Sequence, residues 1–168
     1  MVAAASDIRK MFYCIRMEEE DKFMQLWGWK FLDSSEVETF AMSRVVMGNK
    51  PSTNISSVAV KETSKLFEFD KLYADARQAL DKDAYVDNVM ATAATMEQMK
   101  NKIEEIEFLA ANGGIKFKPW IISRYNSPDL KFGPAMHDNE SGELIEKALG
   151  IQWLVGKDRL RVKPDVSF

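Results

Sequence analysis

The sequence predicts an α+β fold: an antiparallel sheet with helices packed on one face, within a single domain of 168 residues. Three observations predict it. Thr95 to Gly114 carries the clearest helix signal in the chain. DAYVDNVM, Asp83 to Met90, reads as two short β-forming runs around a turn. The remaining segments mix hairpins with helices, and no internal repeat or low-complexity tract interrupts them.

Taken in order, Met1 to Ser6 reads as a strand that leads into Asp7. MQLWGWKFL, Met24 to Leu32, is aromatic-rich and strand-like. DSSE, Asp33 to Glu36, is turn chemistry, and Glu38 to Met47 returns as a second strand, which makes a hairpin. Gly48-Asn49-Lys50-Pro51-Ser52 breaks the chain. Ile55 to Phe67 reads as a helix, with Ile55, Val58 or Ala59, Glu62 and Leu66 at mixed helical spacing. Asp70 to Leu80 reads as another, with Leu72, Ala76 and Leu80 on one stripe.

In DAYVDNVM the runs are Ala84-Tyr85-Val86 and Val89-Met90. Asp87-Asn88 joins them, because both residue types tolerate left-handed backbone and bond locally. Thr95 and Gln98 then match a capping box. Met96, Met99, Ile103, Ile106 and Leu109 follow at steps of three and four, and Asn112-Gly113-Gly114 supplies the stop. Ile115 to Ile122 reads as a strand. The Pro-, Asp-, Asn- and Gly-rich residues 126–143 read as an internal loop, and Leu144 to Leu149 as a short helix or turn. Ile151 to Leu154 and Leu160 to Val162 read as a hairpin around Gly156-Lys157-Asp158.

Composition excludes several function classes. The hydrophobic fraction of 46% and the charged fraction of 29% are those of a soluble globular protein. No apolar run approaches the roughly 20 residues a membrane span needs, and MVAAASDIRKMF lacks the basic and long apolar regions of a secretory signal. The expected location is intracellular, cytoplasmic or nuclear and not secreted, with no membrane partner. The single cysteine, Cys14, excludes an internal disulfide framework. With only one histidine, His137, the chain has too few soft ligands for a zinc site of its own. Cys14 reads as a small apolar filler and His137 as a loop residue. No Walker-type phosphate loop and no G-x-S-x-G elbow is present. Net charge is −3 and the pI about 5.3, against a free-standing nucleic-acid binder. Lys157, Arg159, Arg161 and Lys163 alternate, so on a strand they share a face.

What remains is oxygen-only metal binding. Mg²⁺ takes one or two carboxylates and keeps waters and substrate phosphates. Asp7, ending a strand, and Asp87, at a hairpin tip, could form such a pair if their strands are neighbours. An aspartate at a strand end or in a turn is ordinarily a cap or turn former, so spacing alone leaves both readings open.

Five motifs in order change the weight. DIRKMFYCIRMEEEDK, VVMGNKPSTNISSVAV, AYVDNVM, GGIKFKPW, and LGIQW followed by DRLRV span about Asp7 to about Val162. Together they resemble the palm of reverse transcriptases, most closely those of the Bel/Pao type of LTR retrotransposon, whose third motif reads YVDD where this chain has Tyr85-Val86-Asp87-Asn88. The resemblance implies an incomplete palm fold over residues 1–168, with fingers absent upstream and thumb and RNase H absent downstream. It implies a primer-grip-like hairpin over 147–163.

The activity it implies is RNA-directed DNA polymerisation: a nucleotidyltransferase adds deoxynucleotides to a primer 3′-hydroxyl by a two-metal mechanism on an RNA or DNA template-primer. The cofactor implied is Mg²⁺, with Mn²⁺ as a substitute. Asp7 and Asp87 would hold the metal, with Asn88 beside them, and Lys118 (or Lys116) would lie near the leaving pyrophosphate. Phe12 would act as a steric gate under the incoming sugar. Gly48, Pro51 and Ser52 would shape the turn beside the template. Tyr85 belongs to the substrate side of the motif, and Gly150 and Trp153 would support the primer. Asn88, where the family has a second aspartate, removes a negative charge. The expectation is therefore a degenerate palm fragment whose isolated chain extends no primer. The alternative is a non-catalytic relic or a co-opted interaction module that retains the palm fold.

Overall fold

VAAASD, Val2 to Asp7, forms the central strand β1 of a four-stranded antiparallel sheet, and its small side chains explain why it can sit there. Ala4 and Ala5 point to opposite faces and both are buried, so each face of β1 has to accept a layer at close range. The computed structural model describes residues 1–67, 71–123, 136–137, 144–148, 151–157 and 159–161. The strands flanking β1 are β4 (Ala84–Tyr85), β5 (Asn88–Ala93) and β6 (Ile121–Ile122), in the order β4-β5-β1-β6. β5 pairs with β1 along its whole length, from Val2 opposite Ala93 to Asp7 opposite Asn88.

Helices cover one face. A single turn, α1 (Met11–Cys14), follows β1. Further on come α2 (Ser52–Ser64), α3 (Ala74–Asp81) and α4 (Met96–Asn112). α4 starts as its sequence predicts: the Gln98 N–H donates to Thr95 Oγ1 at 3.2 Å and the Thr95 N–H to Gln98 Oε1 at 3.3 Å. Met99, Ile103, Ile106 and Leu109 are buried against Ala4, Val89, Ala91 and Ile122 in the main core.

The other helices depart from expectation. α2 begins at Ser52, three residues before the expected Ile55. Its buried face is Ser52, Ser56, Val60, Thr63 and Ser64, while Ile55, Val58 and Leu66 are exposed. Small polar residues fill this face because the helices meet closely there: a side chain at Gly113 would run into Thr63. In α3 the buried residues are Ala76, Ala79 and Leu80, and Leu72 is exposed in a 3₁₀ turn (Lys71–Tyr73). Asp70 lies outside the described residues.

A second antiparallel sheet, in the order β10-β9-β8-β7, is built from β7 (Met136–His137), β8 (Leu144–Ala148), β9 (Ile151–Leu154) and β10 (Arg159–Arg161). Trp153 of β9 and Val155 in the turn after it bury against Ala5, with Ala3 and Ile121 beside them. The helices lie on one face of the main sheet, as expected, and the face turned away from them is covered here. Two readings of this region are corrected. Leu144 to Ala148 is a strand, because ladder bonds to β9 and β7 outweigh the helical tendency of so short a segment. His137 lies in a two-residue strand inside the expected loop. The rest of residues 126–143, with Leu149, Gly150, Asp158 and Val162, lies outside the described residues.

The aromatic hairpin forms a separate two-stranded sheet from β2 (Leu26–Trp29) and β3 (Glu38–Ala41), both shorter than expected. The expected strand over Ile115 to Ile122 is reduced to β6. Its earlier part makes only an isolated bridge, Ile8 to Phe117, since Pro119 has no N–H to continue a ladder. Among the described residues no helix is long and apolar enough to cross a membrane.

Candidate functional site

The hairpin that closes on β1 turns one residue earlier than its sequence predicts. Tyr85 pairs with Asn88, so Val86-Asp87 is the two-residue loop and Asn88 belongs to β5, correcting an Asp87-Asn88 turn. Val86 takes φ 53°, left-handed backbone that a β-branched residue rarely adopts. Conformations of this kind cost of order 1–3 kcal/mol and persist only where the surroundings impose them. The imposing contact is visible: the Ile8 N–H donates to the Asp87 carbonyl at 2.6 Å, and Asp7 sits opposite Asn88.

On its other side, Asp7 is held by the segment that follows α4. The Lys118 N–H donates to the Asp7 carbonyl at 2.8 Å, the Arg9 N–H to the Lys116 carbonyl at 2.7 Å, and Ser6 Oγ to the Lys118 carbonyl at 2.8 Å. Asp7 is thus clamped between β5 and the extended segment around Lys118, on the face that also carries Ala3 and Ala5. Its carboxylate forms an ion pair with Lys118 Nζ. The Asp87 carboxylate accepts from Asn88 Nδ2 at 3.2 Å. Asp7, Asp87, Asn88 and Lys118 therefore gather at one end of the central strands. Lys118 is the lysine that reaches the Asp7 carboxylate, while Lys116 contributes its carbonyl to the Arg9 N–H.

The other predicted residues lie around this centre. Phe12 is half-buried in α1, just after Lys10 reverses the chain at φ 53°. Tyr85 is exposed at the turn. Gly48, at φ 97°, and Pro51 and Ser52 line a separate cleft of about 420 Å³ with Met17, Met24 and Gln25. Ser52 Oγ donates to the Val46 carbonyl at 2.6 Å and ties the loop to the start of α2. Trp153 packs on Ala5, two residues before Asp7 on the same face. Gly150 lies outside the described residues.

Two organising residues escape sequence reasoning. Gln25 Oε1 accepts from the Val46 N–H at 3.1 Å and from Asn49 Nδ2 at 3.2 Å, which fixes the cleft loop. Ser6 positions the Lys118 peptide. Neither carries a local signal, since each acts on backbone distant in sequence.

Among the described residues no group of three or more His, Cys, Asp or Glu side chains could hold a metal ion. The centre supplies two carboxylates at neighbouring backbone positions. That set fits a hard cation completed by water and substrate phosphates, and does not fit a dedicated protein cage. Comparison with protein-family models and with curated proteins finds no match to this chain.

Proposed function

We propose that this chain is a palm of the RNA-directed DNA polymerases of the Bel/Pao retrotransposon type, degenerate at Asn88, in which Asp7 and Asp87 would hold Mg²⁺ or Mn²⁺. One observation carries the reading: the β1–β5 register sets Asp7 against the tip of the hairpin that bears Asp87. The motif order and the antiparallel sheet backed by helices support it. When bound, the cation neutralises charge on phosphate oxygens and lowers the barrier for attack by a primer hydroxyl. The chain's own groups do the positioning. Lys118 exchanges Asp7 for the leaving pyrophosphate, and Phe12 bears on the sugar. Gly48, Pro51 and Ser52 flank the template, while Gly150 and Trp153 support the primer.

A specific observation favours the second reading, a relic or co-opted module that keeps the fold without the chemistry. Both carboxylates are already satisfied within the chain, Asp7 by the Lys118 ammonium and Asp87 by the Asn88 amide. A metal titration on four proteins separates the possibilities: wild type, Asn88→Asp, Asp7→Ala and the double variant. A restored carboxylate attracts the ion more strongly than an amide, so Asn88→Asp is expected to bind Mg²⁺ or Mn²⁺ more tightly, and the gain to vanish with Asp7→Ala. Equal affinities in all four proteins would reduce the hairpin tip to an ordinary turn and end the polymerase reading. The wild-type chain alone is expected to extend no primer beyond an Asp87→Ala control; extension above that control would remove the relic reading.

A further inference from the structure

Among the described residues, nothing covers the aromatic face of the β2–β3 hairpin, whose tryptophans remain exposed. Trp27 and Trp29 of β2, with Phe31 just beyond it, alternate along the chain and continue onto Phe40 of β3, with ring centroids 6.0 Å apart for Trp27–Trp29, 6.5 Å for Trp29–Phe31 and 5.1 Å for Trp27–Phe40. Trp27 is 43% exposed and Trp29 51%. A two-stranded hairpin is marginal in water without a layer against it, and contiguous apolar surface of this kind marks a contact site.

The charge around the hairpin selects the occupant. From Glu18 to Glu38 the sequence carries seven carboxylates and two lysines, Lys22 and Lys30. This segment is therefore more acidic than the whole chain at −3, and the remainder is net positive. At the loop end an open hollow of about 500 Å³ is lined by Phe31, Asp33, Glu36 and Glu38. A second copy of the hairpin would bring like charges together, and nucleic acid or an anionic membrane would be repelled. Exposed indole faces bordered by carboxylates suit cations that carry apolar stems: the ammonium or guanidinium lies on the ring while its alkyl chain covers apolar surface.

We propose that this hairpin docks a basic, partly apolar polypeptide segment of another protein, with arginine or lysine side chains over Trp27 and Trp29 and ion pairs to Asp33, Glu36 and Glu38. The occupant's charge is the opposite of what a polymerase template would carry, so this site stands independently of the Asp7–Asp87 centre.

The test titrates the full chain with two labelled peptides, one alternating arginine and leucine, the other glutamate and leucine. Fluorescence anisotropy and tryptophan emission report binding. The basic peptide is expected to bind, more weakly as salt rises, and the acidic peptide not to bind. Trp29→Ala and Glu36→Lys are each expected to weaken binding by about tenfold. Glu36 lies outside the strand ladder, so Glu36→Lys leaves the hairpin intact even if Trp29→Ala disturbs it. Equal binding of both peptides, or wild-type affinity in both variants, would overturn the proposal. So would concentration-dependent self-association in sedimentation that Trp29→Ala abolishes while no peptide binds, since the face would then belong to a second copy. Preferential binding of a single-stranded oligonucleotide would overturn it equally.

Discussion

Gly113 illustrates how much a single missing side chain carries. Its φ of −88° is open to any residue, so conformational freedom is not the reason for glycine there. A Cβ at this position would lie 2.4 Å from both Oγ1 and Cγ2 of Thr63, and 2.9 Å from its Cβ. The end of α4 can rest on α2 only because nothing projects from residue 113. Gly113→Ala is expected to destabilise the fold by about 1–3 kcal/mol through overpacking, read as a lower urea midpoint. Thr63→Ala in the same chain should recover part of that loss, since it removes the two nearest atoms. A single variant as stable as wild type would show that the two helices are not in contact there.

Among the elements, α4 and α3 are coupled by charge as well as by packing. Glu105 on α4 has its carboxyl pKa raised above the ordinary 4.5, first by burial and then by the nearby Asp75 carboxylate of α3, with Lys102 acting in the opposite sense. A folded pKa above the unfolded one means that folding favours the protonated form. This contribution is fully present below the unfolded value and is lost as pH rises through the raised folded value. At neutral pH the ionised Glu105 therefore works against the fold. Glu105→Gln keeps the shape and removes the charge, so it should melt no lower than wild type at neutral pH. The advantage should shrink once the pH falls below 4.5. A variant markedly less stable than wild type at neutral pH would mean that Glu105 makes a favourable contact as a carboxylate.

For the whole molecule, the question is how the two faces of the main sheet are joined. The helical side holds the large core, built around Trp120, Leu80, Met99, Ile106 and Leu109, while the opposite side rests mainly on Trp153 and Val155 against Ala5. Removing a buried tryptophan costs about 3–5 kcal/mol, yet the loss need not be shared equally, because regions with few buried contacts open first. Trp153→Ala is expected to free the amides of β9 and β10 for hydrogen exchange while α4 stays protected. Uniform loss of protection across both regions would show that the two layers form one cooperative unit.

What could be determined from the sequence alone was whatever has a local cause. α4 was legible because its cap, its stripe of Met99, Ile103, Ile106 and Leu109, and its glycine stop all act within a few residues of each other. The Asp83–Met90 hairpin is legible for the same reason, with Asp87 in its turn. Asp7 could be read only as the end of a strand until a set of motifs in order supplied a partner. Tertiary structure alone decided the rest. It made Leu144–Ala148 a strand, because its partners β7 and β9 lie outside the segment. It brought Lys118 to the Asp7 carboxylate, because Ser6 and Asp7 hold the Lys118 backbone from more than a hundred residues away. It moved the turn to Val86-Asp87, because the Asp7–Asn88 register fixes where β5 begins. It buried serines and threonine on α2, where hydrophobic periodicity pointed elsewhere, because close helix contact selects for size before polarity. Except for β8, whose partners β7 and β9 are its neighbours in sequence, the deciding hydrogen bond or contact joins residues distant along the chain, and such contacts leave no periodic trace in the sequence.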